Sequence, residues 1–375
     1  MNKVKLLLAA AAALFAASAL AQGVTATSIK IGQSAPLTGS NAELGQDIRN
    51  GALAYFKKIN DAGGVNGRKI ELVSLDDGNT VQRSGENTQK LVDEGVFALF
   101  GYASATLSRP ALPIVEKNKV PFVHPFTGAD PMRVFDKFVY NIRASYADEL
   151  EKIVDHFAPL GVKRFAIVYY DDVVGRENLT AVDRALKKRS YETVSHAAFK
   201  DRVKPDIEGG VKAVAKGQPD VIILTTLYKH TSDFIKAAQK EGVGAQMASN
   251  SFPGASPLQK ELGKDGPGVV IATVVPPFSK GTIPIVSEYR AAMEKFSGKK
   301  EFSFTSLESY IGAKVMVEGI KRAGAKPTRE AFMHAMDGMS SYDVGGYIVG
   351  FSPNNHNGSS YVELTVISKD GQFRF

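Results

Sequence analysis

The sequence predicts an α/β chain of two units, and three observations carry that prediction. The first is size, because 375 residues with 44% hydrophobic content can bury two sizeable cores. The second is alternation. Short apolar runs that read as strands recur between amphipathic helices, and the series begins again after residue 143. The third is the absence of a Pro/Gly/Ser-rich linker between the two series, which suits a hinge rather than beads on a string.

The first residues belong to neither unit. Lys3 and Lys5 precede an Ala/Leu run over 6–17, and Ala19-Leu-Ala21 is an A-x-A cleavage signal, so 1–21 read as a signal peptide that leaves Gln22 first. The run is too short for a retained span, and no other stretch approaches the ~18 apolar residues that a span needs. The expectation is a soluble chain exported to a bacterial periplasm. No cysteine is present to carry a lipid anchor, a disulfide, a thiolate metal site or a nucleophile. Without Lys3 and Lys5 the chain carries 44 basic against 39 acidic residues, scattered in short groups such as Lys187-Lys-Arg189 and Lys299-Lys300. These read as solvated helix surface, not as the clustered stripe that nucleic acid requires.

The alternation Ile29-Lys-Ile-Gly32 reads as the first strand. A helix over 45–62 follows, with Ile48, Ala52, Tyr55, Phe56 and Ile59 on one face. Gly63-Gly-Val-Asn-Gly67 looks superficially like a nucleotide loop, but it follows a helix and precedes the strand 70–75, so it is a turn. Asp76 and Asp77 lack the ligand spacing of a calcium loop and read as a strand-end turn or cap. After a helix over 80–94, the stretch 96–133 organises the chain: strand 97–100, loop, helix through 111–115, strand 120–123, loop 125–130. Two parallel strands joined by one helix bring their carboxyl-end loops side by side, where open α/β sheets bind ligands. The first loop offers backbone N–H groups at a helix start with the hydroxyls of Ser104, Thr106 and Ser108, an arrangement suited to a carboxylate. The second loop adds Thr127 and Gly128. The alternative for any one hydroxyl is an ordinary helix cap.

The first series runs on to 138–143. The second is helix 148–157, strand 164–170, helix 176–188, strand 194–199, helix 207–216, strand 220–225, helix 231–241, then strands 246–249 and 269–275. Helices over 284–296, 306–323 and 329–336 come next, and paired strands 346–349 and 361–367 with an Asp370-Gly371 turn end a chain that returns to both units.

Along nearly its whole mature length the chain resembles the periplasmic solute-binding proteins of branched-chain amino acid type ABC importers. The residues that carry the resemblance are Ile31-Gly-Gln-Ser-Ala-Pro-Leu-Thr-Gly39 with Gly45 and Gly51, Ile59-Asn-Asp-Ala-Gly-Gly-Val-Asn-Gly-Arg68, Asp76-Asp77, Gly101 with Ser104, and Val120-Pro121. Phe126-Thr-Gly-Ala129, Arg143-Ala-Ser-Tyr146, Thr305-Ser-Leu-Glu308 and Val362-Glu-Leu-Thr365 look like a subgroup of such proteins. The resemblance implies two Rossmann-like lobes joined by a three-segment hinge, with a solute in the cleft between them. Its lobes would be 23–143 with 279–346, and 147–275 with 350–375. Crossings would fall near 143–147, 275–280 and 345–351.

The resemblance also implies a carboxylate held at Ser104, Ala105 and Thr106 and by a Thr in the loop 125–130. That loop is one residue longer here, so Thr127 and Gly128 compete for the role. Amino-acid binders usually hold the ammonium with an aromatic hydroxyl before a Gly, but Val174 precedes Gly175. They also use an acid in a loop matching Asn250-Ser-Phe-Pro-Gly254, which has none. Leu44 stands where an aromatic often sits. Tyr102, Tyr170 and Tyr228 are further candidate contacts or ordinary packing, and Phe126, Ser251 and Phe252 complete the candidate site. A small organic acid, aromatic or branched, is therefore expected over the matching amino acid. Asp171, Asp172 or Glu308 would have to supply the charge otherwise.

An enzyme would need a nucleophile, a base or a metal set. His124, His156, His196, His230, His334 and His356 form no H-E-x-x-H or other close spacing, and no G-x-S-x-G elbow occurs. The expectation is a monomeric binding protein with no cofactor and no metal, partnered by a small-molecule solute and an ABC permease of the inner membrane. A ligand sensor that presents its loaded state to a membrane receptor is the alternative.

Overall fold

Apolar side chains at Ile29 and Ile31 seat the first strand in a parallel sheet, because both faces of such a sheet are covered. The computed structural model describes residues 23–39, 41–297 and 301–375. The signal-peptide reading of 1–21, Gln22, Lys299 and Lys300 lie outside these residues. In unit 1, β1 (Ser28–Ala35), β2 (Lys69–Asp76), β3 (Ala98–Phe100), β4 (Phe122–Val123) and β5 (Val139–Tyr140) form a parallel sheet in the order β2-β1-β3-β4-β5. Helices α1 (Ala42–Asp61), α2 (Val81–Asp93), α3 (Ser104–Ser108) and α4 (Leu112–Asn118) connect them. The single helix expected through 111–115 is two, with a 3-10 turn over Arg109–Ala111 between them. Pro110 and Pro113 lack the N–H groups that a continuous helix would use.

Unit 2 repeats the alternation. Helix α5 (Tyr146–Phe157) leads into β6 (Phe165–Tyr170), α6 (Val173–Lys187), β7 (Thr193–Phe199), α7 (Ile207–Ala215), β8 (Val221–Leu224), α8 (Tyr228–Lys240), β9 (Gln246–Ser249), α9 (Ala255–Leu262) and β10 (Val270–Thr273). Leu150, Ile153, Val154 and Phe157 recur on one face of α5 and pack on Phe165, Ile167 and Ile223 of the sheet. Helices α10 (Pro284–Ser297), α11 (Phe304–Arg322) and α12 (Arg329–Asp337) return to unit 1. Gly51 of α1 lets that helix meet α11, since a Cβ there would fall 2.0 Å from the Ser306 carbonyl oxygen. Among the described residues no helix is long and apolar enough to cross a membrane.

The end of the chain departs from expectation. Residues 346–349 do not pair with 361–367. Instead β11 (Tyr342–Asp343) pairs with β12 (Ile348–Val349), because Asp343 accepts the N–H groups of Gly345 and Gly346 at 2.8 and 2.6 Å and closes a tight turn. The strand β13 (Glu363–Ile367) lies between β10 and β14 (Phe373–Arg374), antiparallel to both. Unit 1 takes the described residues up to Phe126, Phe135–Ile142 and Gly281–Ser359; unit 2 takes Thr127–Val134, Arg143–Lys280 and Ser360–Phe375. The crossing expected near 345–351 thus falls at 359/360. Phe351 N–H bonds Met339 O at 2.7 Å, and Gly358 N–H bonds Asn141 O at 2.8 Å, which keeps that stretch in unit 1. The excursion Thr127–Val134 raises the expected three crossings to five.

Candidate functional site

In unit 1 the loops after β3 and β4 are laced together. Phe126 donates its N–H to Tyr102 O at 2.8 Å, and its own carbonyl accepts the N–H of Ser104 at 3.1 Å. Ser104 opens α3 in the left-handed region at φ +66°, and His124 follows β4 at φ +59°. Non-glycine residues held there store about 1–2 kcal/mol each, a strain that clusters at functional loops. Ala105 and Thr106 lie in the first turn, where helix N–H groups have no intrahelical acceptor. Thr106 is exposed and Ala105 is buried. Leu44 and Phe126 pack with Ile48, Ala103 and Leu107 in one apolar cluster.

Tyr102 does not belong with this group. It is 0% exposed, its ring packs on Phe122 at 4.9 Å, and its hydroxyl accepts from Thr88 at 3.1 Å. That side chain is core of unit 1. Asp76 and Asp77 are used as caps: Asp76 accepts from Leu37 N at 2.8 Å, Thr38 Oγ1 at 2.6 Å and Gly78 N at 3.0 Å, and Asp77 from Ser34 Oγ and Asn79 N.

In unit 2, Thr127 is buried, caps Ala129 N–H at 3.2 Å and lies 3.5 Å from the Tyr146 hydroxyl. Gly128 allows the close approach of Tyr146, whose N–H bonds the Gly128 carbonyl at 2.8 Å; a Cβ would fall 2.7 Å from Tyr146 Cδ1. Phe252 meets the Tyr146 ring edge-on at 6.0 Å. Ser251 donates its N–H and hydroxyl to the two oxygens of Glu149 at 2.6 and 2.8 Å. Arg143 completes the group, 3.3 Å from Glu149 and hydrogen-bonded to Ser251 Oγ. Arg143 is 1% exposed and Glu149 0%. Burial holds the Glu149 carboxyl above the usual carboxylate range, and Arg143 and the Ser251 donors offset part of that rise. Every neighbour of the carboxylate named here is a donor, which fits an ionised pair.

Sequence reasoning missed Arg143 and Glu149 as members of the site. The signal was present: Glu149 sits between Tyr146 and Leu150 on the buried stripe of α5, where an acid needs a partner. Removing one member of a buried pair typically costs about 3–5 kcal/mol, but replacing both by apolar groups is often neutral, so stability alone does not account for the pair.

Tyr170, Val174 and Tyr228 stand at the carboxyl-end loops after β6 and β8. Tyr170 is buried, its pKa pushed up to about 12 by that burial, and Arg202 stacks 4.3 Å from its ring centre. Val174 is half-buried in the first turn of α6, and Tyr228 opens α8. Of the candidate acids, Asp171 is paired with Arg176 and Asp172 with Arg202, while Asp172 also caps Gly175 N–H at 2.9 Å. Glu308 is buried on α11 of unit 1.

Two α/β units of this kind, with donor groups on the loops after their strands, suit the binding of a small solute. A family model described as periplasmic binding protein matches residues 28–372. The Leu/Ile/Val-binding protein homolog 7 of Brucella suis is 27% identical over 366 residues, which cover 92% of this chain and 90% of that relative. A solved substrate-binding periplasmic protein from Ralstonia solanacearum has a TM-score of 0.85 at 30% identity, covering 92% of this chain and 99% of the other. A possible leucine/isoleucine/valine-binding protein from Rhodopirellula baltica has a TM-score of 0.86, also at 30% identity, covering 93% and 97%. The chain belongs to the periplasmic binding protein family. Membership implies an exported binding protein and not an enzyme.

Proposed function

We propose that this chain is the monomeric solute-binding component of an ABC importer, which captures a small organic acid by hinge closure and delivers it to the permease of the inner membrane. The observation that carries the chemical class is the pairing of acids in unit 2: Glu149 with Arg143, Asp171 with Arg176, and Asp172 with Arg202. An α-ammonium shielded from water needs a carboxylate of its own or several acceptors, because burying an unpaired charge costs several kcal/mol. These three carboxylates already have cations. The carboxylate of the solute would be held at Ser104, Ala105, Thr106 and Thr127, with Leu44, Phe126, Val174 and Phe252 along its apolar body. Relatives named for Leu/Ile/Val binding support a carboxylate joined to a branched body. Five chain crossings support a hinge.

Calorimetry on matched pairs tests the class: phenylacetate against phenylalanine, and 4-methylpentanoate against leucine. Tighter binding of the acid is expected. Tighter binding of the amino acid in both pairs refutes the organic-acid reading and points to Asp171, Asp172 or Glu308. Scattering should show compaction on adding the preferred solute, and the solute should be recovered unchanged. Turnover of it, or no compaction with a tight ligand, overturns capture by closure.

A further inference from the structure

We infer that Arg143 is a specificity-determining residue, which withholds the Glu149 carboxylate from a solute ammonium and so sets the charge class of the site. The inference rests on the organic-acid reading above and names the residue responsible for it. Of the three acids named above, Asp171 and Asp172 are about one-third exposed and Glu149 is fully buried. Water screens the first two, so their charges act weakly at a distance. Glu149 acts through protein, where a unit charge is felt strongly.

Its placement is specific. Both oxygens of Glu149 hold Ser251 in the loop after β9, and the neighbouring Phe252 packs on Tyr146 beside Thr127. A carboxylate bonded to the N–H and hydroxyl of one loop residue is a negative charge built into the wall of the candidate site. Arg143 cancels it within 3.3 Å. The pair is neutral as a whole, which leaves the charge of a solute carboxylate unopposed and gives an ammonium nothing to gain. Burial raises the Glu149 carboxyl and the guanidinium opposes that rise, consistent with a carboxylate that depends on its partner.

The two members therefore act in opposite directions, which a purely structural pair would not do. Arg143→Met leaves the Glu149 carboxyl without its cation, so that it ionises when a solute ammonium takes the place of the guanidinium, whereas Glu149→Gln leaves a positive charge beside Ser251. Calorimetry with 4-methylpentanoate and leucine, and with phenylacetate and phenylalanine, gives the ratio of acid to amino-acid affinity for the full mature chain and each variant. Arg143→Met should move that ratio roughly tenfold or more toward the amino acid, and Glu149→Gln by a similar factor toward the acid. If both folded variants keep the wild-type ratio within about twofold, or weaken both members of a pair equally, the role of the pair is overturned while the organic-acid reading stands. If Arg143→Met does not fold, Glu149→Gln decides alone by the same criterion. A wild-type chain that prefers the amino acid in both pairs, or binds no member of either, overturns the organic-acid reading and this inference with it.

Discussion

The hydroxyl of Tyr170 sits 2.6 Å from Nδ1 of His230. The same oxygen accepts the N–H of Leu227 at 3.1 Å, so its proton is directed at the ring nitrogen. Neutral His230 then carries its own proton on Nε2, a tautomer set by a residue 60 positions earlier.

Protonating His230 disrupts that arrangement. Burial pulls its pKa below the usual 6.5; Lys229 and Arg202 add to the shift, while Asp233 and Asp201 oppose it. A group whose folded pKa is depressed contributes stability above its unfolded pKa and loses it as pH falls through the folded value. Unit 2 should therefore weaken as pH drops below about 6.5, and His230→Gln should flatten that slope. Proton NMR of the imidazole is the direct check. A titration midpoint at or above 6.5 would sink the prediction.

Gly128→Ala should destabilise unit 2 by about 1–3 kcal/mol, since overpacking against fixed atoms carries that cost. The added methyl would lie 2.8 Å from the Tyr146 backbone nitrogen and 3.0 Å from the Ala144 oxygen, and backbone cannot swing aside as a side chain can. Denaturant unfolding measures it. An unchanged midpoint would mean that the loop shifts freely.

How much of this was legible beforehand depended on how far apart in sequence the interacting groups lie. The strand–helix–strand pattern singles out the loops of Ser104 and Thr127 as candidates, and Asp76-Asp77 reads as a strand-end cap from its local bonds to Gly78 and Asn79, while its bonds to Ser34, Leu37 and Thr38 are not visible locally. For Tyr102 the packing alternative holds, and sequence left it open because a residue just past a buried strand shows no alternation to say which way it faces; its partner Thr88 lies on α2. The wrong pairing of 346–349 came from weighing two apolar runs above the Asp343-Val-Gly-Gly346 turn signal between nearer ones. Glu149 and Ser251 are 102 positions apart, and nothing local joins them. The loop 250–254 has no acid of its own, and the carboxylate bonded to it comes from α5.

Asp76 offers a test at low pH. Burial raises its pKa, but bonds from Thr38, Gly78 and Leu37 outweigh that and hold it down at about 2. Its stabilising effect is therefore full above the ordinary carboxylate range and is lost as pH falls from about 4 through 2. Asp76→Asn should lower the stability of unit 1 by about 1–2 kcal/mol at pH 7, at the low end because the carboxylate is 25% exposed. The deficit should shrink below pH 4 and vanish near pH 2. A deficit that stays constant down to pH 2 would show that the charge is irrelevant.

Ser104 and Thr127 separate affinity from stability. Glycine at 104 adopts φ +66° without the Cβ penalty, and the main-chain bond that Ser104 Oγ accepts, from Leu107 N, is a long 3.4 Å. The relief is about 1–2 kcal/mol, and the greater freedom of unfolded glycine offsets about half of it. Ser104→Gly should therefore leave stability neutral to slightly improved. If the hydroxyl holds the charged end of the solute, the same change removes a bond worth ~1.5–3 kcal/mol and weakens binding by roughly tenfold or more. Thr127→Ala should weaken binding by a similar factor and also cost about 1 kcal/mol of stability, since its hydroxyl caps Ala129. Thr127→Ser, which keeps the hydroxyl, should restore most of both. Opposite signs of stability and affinity at Ser104 would mark a strained residue kept for binding. Unchanged affinity in Ser104→Gly and Thr127→Ala together would move the anion site away from these loops.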